Sequence, residues 1–201
     1  MRPTASSSSP TPARYIVPPH KPLLLALALS HAAIAAELDH VTVTKEGDRY
    51  VLEGEVQLEA TSSAVYRVIT DYDGLEKLDK GIAESRLIER VSDTVALVYT
   101  RMKGCVILFC RKVERIERVE EISATEIRAV VVPDSDTDVR YGHSHWELLP
   151  HESGTRVTYR TEVEPDFWIP AVIGPALIRS VLRRRVSRTL GNLEQAALNY
   201  Q

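Results

Sequence analysis

The 201-residue chain predicts an α+β domain in which a curved antiparallel sheet wraps around a long C-terminal helix. Three features carry that expectation. Period-two alternation of apolar and polar residues recurs through the middle of the chain, helical periodicity flanks that array, and the last segment holds one apolar stripe long enough to cover a sheet face. With 44% hydrophobic and 26% charged residues, the composition is that of one ordinary globular domain.

The first 36 residues carry Arg2, Arg14 and Lys21 and no acid, followed by an apolar block from Leu23 to Leu29 and the small residues of "SHAAIAA". A basic start, an apolar middle and a small-residue end read as a signal peptide over 1–36, cleaved near Ala35 or Ala36 to leave one domain over 37–201. A Ser-rich, acid-free start is also the composition of an organelle transit peptide. Even taken from Pro22 to Ala36, the apolar run is shorter than the roughly 20 residues that span a bilayer. The expected location is therefore periplasmic or secreted. Removing the leader takes the formal net charge from −3 to about −6, which gives no support to general nucleic-acid binding.

The first predicted strand is "RYVLEGEVQLEA" (49–60). "TSSAVYRVITDYDGLEKL" (61–78) follows as a helix, with hydroxyl residues to cap it and Val65, Val68 and Ile69 on one face before Gly74 interrupts it. A second short helix is expected after it. About five or six strands come next: "TVALVYTRMK" (94–103), "ATEIRAVVV" (124–132), "YGHSHWELLP" (141–150) and "TRVTYRTEV" (155–163) alternate cleanly between turn clusters. The run 111–122 is less regular, because Val113, Ile116 and Val119 recur every third residue, and its neighbours favour a bulged strand. The last element is a helix of at least 20 residues, striped by Ile178, Leu182, Val186, Leu190, Leu193 and Ala197, with Pro170 or Pro175 available for its first turn. This helix is the element large enough to cover the apolar face of the sheet, and a cavity between the two is the consequence.

"GCVILFC" (104–110) joins two strand-length runs and is apolar where a polar turn is usual. It is either a hairpin tip that serves as a lid or a contact for an acyl chain or partner, or an ordinary buried strand. In one continuous strand Cys105 and Cys110 would lie roughly 16 Å apart, beyond the span of about 4.4–6.8 Å that a disulfide allows. Across a hairpin they can pair, and an exported protein meets the oxidising compartment in which they would do so.

The segments "VITDYDGLEKLDKGIAESRLIER", "WELLPHESGTRVTYRTEVEPDFWIP" and "LRRRVSRTLGNLEQ" resemble the START-like superfamily, of the polyketide cyclase and coenzyme Q-binding type, over about residues 45–197. The resemblance implies the helix-grip fold and a lipid, isoprenoid-like or other hydrophobic ligand held between the sheet and the C-terminal helix. The expected pocket residues are Met102, Trp146, Tyr159, Phe167, Trp168, Ile173, Leu177, Ile178 and Leu182, with Trp146 and Tyr159 as its polar-tipped members. Ile107, Leu108, Phe109 and Trp168 are expected to form a lid or to touch a membrane, where aromatics suit the interface and Arg179, Arg183, Arg184, Arg185 and Arg188 would face anionic head groups. Core packing of residues 164–178 and a solvated arginine face are the plainer readings.

Little in the sequence points to catalysis. His143, His145 and Glu147 share one face of a predicted strand, but Trp146 and Leu148 are the better candidates for the core, which leaves the histidines on the solvent side. "DSDTD" (134–138) starts like a calcium loop, yet Val139 and His145 stand where that loop needs Gly and Glu, so an acidic turn is expected and no metal. No G-x-S-x-G, P-loop, CxxC or dinucleotide fingerprint is present, and no cofactor is expected. The expected function is non-catalytic binding or transport of a hydrophobic small molecule. A cyclase or hydrolase with polar groups converging in the pocket, and a ligand-free protein-interaction module, are the alternatives.

Overall fold

A computed structural model describes residues 37–106, 109–133, 137–169 and 175–200. The proposed leader, the tip residues Ile107 and Leu108, the acidic turn at Asp134–Asp136 and the stretch containing Ile173 lie outside the described residues. The chain forms β1 (Glu37–Glu46), β2 (Arg49–Leu58), α1 (Ser62–Ile69), a 3-10 turn (Leu75–Lys77), β3 (Ile82–Ser92), β4 (Val95–Val106), β5 (Phe109–Ser123), β6 (Glu126–Val131), β7 (Val139–His151), β8 (Gly154–Pro165) and α2 (Pro175–Leu198). The eight strands make one antiparallel sheet in the order β1-β2-β8-β7-β6-β5-β4-β3. Every consecutive pair except β2 and β3 is a neighbour; α1 and the 3-10 turn occupy the connection between those two.

The core forms on one sheet face. Val43, Leu52, Val56, Leu148 and Val157 point inward from β1, β2, β7 and β8 and pack with Leu190, Leu193 and Ala197 of α2. The α2 stripe thus follows the predicted periodicity, with its C-terminal half buried and Ile178, Leu182 and Val186 partly buried against the same cluster. Burial of each large aliphatic side chain contributes about 1.5–3 kcal/mol, so this stripe is a main fastening of helix to sheet. Two polar contacts fix its position. Asn192 Nδ2 donates to the Leu78 carbonyl at 2.7 Å, and Glu194, only 5% exposed, accepts the Glu59 and Ala60 amides at 2.8 and 3.3 Å.

Two local expectations need correction, and the strand expected over 111–122 is present with its irregular pattern explained. The first helix stops at Ile69, before Gly74, because Thr70 turns its hydroxyl back to the Tyr66 carbonyl at 2.8 Å and the chain then buries Tyr72. The sheet also gains two edge strands, β1 and β3, that the sequence did not single out. An edge strand keeps charged residues and buries less, so "IAESRLIERVS" lacks a clean alternation. In β5, Val113 and Val119 face inward together with Arg115, Glu117 and Glu121; charged residues on the inner face are why the run reads as irregular.

The "GCVILFC" stretch is a hairpin tip. Cys105 lies opposite Cys110 and Val106 opposite Phe109 in the β4–β5 ladder, and both cysteines are exposed. A disulfide joins them.

Candidate functional site

A cavity of about 390 Å³ lies between the inner sheet face and α2. Its floor is built by a cross-strand pair, Trp146 of β7 opposite Tyr159 of β8, whose rings stack with centroids 5.2 Å apart. Tyr159 lies in turn opposite Gly54 of β2, and only glycine suits that position: a Cβ there would sit 2.4 Å from the tyrosine Cε1 and 2.5 Å from its hydroxyl. The opposite wall is Ile178, Leu182 and Val186, three successive turns of α2. Met102 and Val113 on β4 and β5, with Phe167 and Ile169 after β8, complete the apolar lining. A further recess of about 210 Å³ shares several of these residues and extends to Cys105, Phe109, Arg111 and Val181, bringing the disulfide-tied tip to the side of the cavity. There the Arg111 guanidinium lies over both the Phe109 and the Phe167 rings, at 5.6 and 5.1 Å.

Polar groups reach the cavity wall as well, more of them than Trp146 and Tyr159 alone. Asp79 and Arg185 form an ion pair. The Arg115 Nε is 3.1 Å from both the Thr100 hydroxyl and Glu117, and Glu117 is only 6% exposed. Thr161 donates to Ser144 at 3.3 Å. Tyr159 differs from these: its hydroxyl is buried and has no hydrogen-bond partner among the described residues, and burial pushes its ionisation well above that of an ordinary phenol. The two guanidinium groups of the cavity, Arg185 and Arg115, are therefore matched by carboxylates inside the protein, while Arg111 at the recess lies over two aromatic rings.

Of the residues expected to line the pocket, the structure brings Met102, Trp146, Tyr159, Phe167, Ile178 and Leu182 to this cavity. Leu177 is half-buried on α2 but does not border it, because it lies one position off the inward stripe. Trp168 is 74% exposed, whereas its neighbours Phe167 and Ile169 border the cavity. Phe109 is half-buried at the recess. Of the arginines, Arg179, Arg183, Arg184 and Arg188 are exposed. Arg185 is the exception and joins the cavity. Period-two counting from Val113 would have placed Arg115 inward, and Arg185 lies three residues after Leu182 on the flank of the stripe; Asp79 gave no comparable signal.

The histidines lie on the other sheet face. His145 Nε2 is 3.0 Å from Glu126, and Glu147 accepts the Thr158 hydroxyl at 3.0 Å, beside a shallow polar groove of about 370 Å³. No metal-holding cluster occurs among the described residues. At the far end of the sheet Tyr66, Tyr72 and Arg90 converge on Glu121, the last two at 2.9 and 2.5 Å. Burial raises the Glu121 pKa, but hydrogen bonds from Tyr66, Arg90 and Tyr72 outweigh it and hold the carboxyl below its ordinary value. Burial, together with the same contact, raises the Tyr66 phenol to about 12.

Known structures with the same architecture include TTHA0849 from Thermus thermophilus (22% identity, TM-score 0.61, covering 75% of this chain and 99% of that one). The STAR-related lipid transfer protein from Xanthomonas axonopodis shares 20% identity at TM-score 0.56, over 77% of this chain and 99% of the other. The Zhui aromatase/cyclase from Streptomyces sp. R1128 shares 13% identity at TM-score 0.52, over 76% and 93%. These likenesses establish the START-like, helix-grip fold. No curated protein matches the sequence. The model of one family, polyketide cyclase / dehydrase and lipid transport, matches residues 49–197, and the chain belongs to that family.

Proposed function

We propose that the protein binds and carries a lipid or other hydrophobic small molecule in the sheet–helix cavity, without transforming it. The observation that carries this reading is the cavity of about 390 Å³, walled by Met102, Val113, Ile178, Leu182 and Val186 over a Trp146–Tyr159 floor. Ligand pockets are generally concave and apolar, about 300–1,000 Å³ in volume, with few polar groups. An open space of that size argues against a ligand-free interaction module. The family's lipid-transport members and the lipid transfer protein among the structural neighbours support the same reading.

Residues beside the recess suit loading from a membrane. Trp168 is exposed, Phe109 lies at the recess, and Arg179, Arg183 and Arg184 are exposed on the first turns of α2. Aromatic side chains favour the bilayer interface and arginines its anionic head groups. Export through the 1–36 leader suits the Cys105–Cys110 disulfide, since such bonds persist in oxidising compartments. A second reading, cyclase-type chemistry, draws on the Asp79–Arg185 and Arg115–Glu117 pairs at the cavity.

Native mass spectrometry of mature protein from the exported fraction, followed by organic extraction, tests the carrier reading. A co-purified lipid or isoprenoid released unchanged is the expected result. A clean apo mass that does not shift after incubation with a membrane extract would overturn it, and release of a chemically altered molecule would favour the enzyme.

A further inference from the structure

The inner face of β5 continues past the cavity to the hairpin tip. Counting by twos from Val113, which lines the cavity, leads to Arg111 and then Phe109, and all three border the adjoining recess. Arg111 is exposed to solvent, and its guanidinium lies over the Phe109 and Phe167 rings at 5.6 and 5.1 Å. Contact with two rings holds the planar fork of an arginine in place. Its neighbour across the ladder is Gly104, where an added Cβ would meet nothing within 4 Å, so open space lies beside the cation.

The other arginines of this region are already engaged, Arg185 with Asp79 and Arg115 with Glu117. Among the described residues no carboxylate pairs with Arg111. From Lys103 to Lys112 the chain contains three cations and no acid, so the hairpin adds positive charge around it. The recess shares Met102, Val113, Phe167, Ile178 and Leu182 with the cavity, so the apolar lining of the one continues into the other. An apolar space that ends at an unmatched, accessible guanidinium is the complement of an amphiphile with a negative head.

We infer that the ligand is an anionic amphiphile, with its tail in the cavity and a carboxylate or phosphate head group bound by Arg111 at the recess. This inference rests on the carrier reading above and narrows it to one charge class. A guanidinium donates two parallel hydrogen bonds to either oxyanion, and at a solvent-exposed site the head keeps part of its hydration. Arg111 is thus a specificity residue: a neutral molecule of the same length fills the cavity but gains nothing from the cation.

The test uses three radiolabelled probes of equal chain length, dodecanoate, dodecyl phosphate and 2-dodecanone, in vesicle-free equilibrium dialysis at about pH 8, where both anions are ionised. They are compared on the mature protein and its Arg111→Met variant, which keeps an unbranched apolar chain against the two rings. At least one anion is expected to bind the unaltered protein tighter than the ketone. In the variant its affinity should fall roughly tenfold, the loss of one charge-assisted contact, with the ketone nearly unchanged. Added salt should weaken anion binding to the parent more than to the variant. Thermal melting should place the variant near the parent, because Arg111 is exposed. Ketone binding as tight as that of both anions, anion binding to the parent that is indifferent to salt, or an equal loss for all three probes in the variant would overturn the inference while leaving the carrier reading intact. Anion binding untouched by Arg111→Met, with sedimentation on anionic liposomes reduced, would also overturn it and assign Arg111 to the membrane surface. If none of the three probes binds, the carrier reading falls and the inference with it.

Discussion

Glu194 offers the sharpest test of how α2 is held over the cavity. It is buried on the helix and accepts hydrogen bonds from the amides of Glu59 and Ala60, at 2.8 and 3.3 Å, just before α1 begins. Glu194→Ala removes the acceptor from both amides. An unsatisfied buried donor costs about 1–3 kcal/mol, and with partial relaxation the pair should cost roughly 2–4 kcal/mol. For a domain of this size about 1 kcal/mol corresponds to 2–4 °C, so a fall of roughly 5–15 °C in Tm is expected. Glu194→Gln keeps an acceptor oxygen and should lose much less. The two variants also separate in pH dependence. Burial raises the Glu194 pKa above 4.5, outweighing the two backbone hydrogen bonds that lower it. A raised folded pKa means that the protonated form is favoured on folding. The resulting stability is complete below the unfolded value and is lost as pH rises through the folded value. The parent should therefore lose stability relative to Glu194→Gln over that rise. The assay is thermal unfolding by circular dichroism across an acid-to-neutral series. A Glu194→Ala Tm within about 2 °C of the parent would show that the carboxylate does not fasten the helix, and the reasoning would fail.

Three other outcomes are expected. Gly54→Ala places a methyl 2.4 Å from the Tyr159 ring, so it should destabilise by about 1–3 kcal/mol and weaken binding of any cavity probe; a melting curve matching the parent's would contradict the packing described. Glu121 has a lowered folded pKa, so its stabilising effect is present above the ordinary value of 4.5 and is lost as pH falls through the folded value; Glu121→Gln should flatten this acid-side decline in Tm, and an unchanged slope would refute the linkage. Replacing Phe109 and Trp168 together with Ser should reduce sedimentation with anionic liposomes while leaving the Tm near that of the parent, and undiminished sedimentation would sink the membrane-contact reading.

What could be read from the sequence was what local periodicity encodes. The α2 stripe, the inward pairing of Trp146 with Leu148 on β7, and the alternation of β8 all depend on spacing within one segment, and spacing survives in a bare string of residues. The edge strand β3 was illegible because its charged residues blur the alternation that marks a half-buried strand, and in β1 the alternation is confined to the short run around Val41 and Val43. In β5 the inner face carries Arg115, Glu117 and Glu121, acceptable there because each finds a partner on another residue. Those partners depend on strand register and helix placement. Asp79 and Arg185 stand 106 positions apart, and nothing near either residue foretells the other. The sequence by itself thus determined the layers, the helix that covers the sheet and the apolar character of the space between them. Tertiary structure alone decided that Asp79 meets Arg185 and that Arg115 meets Glu117 beside that space, because pairing is a property of distances between segments and periodicity is a property within one.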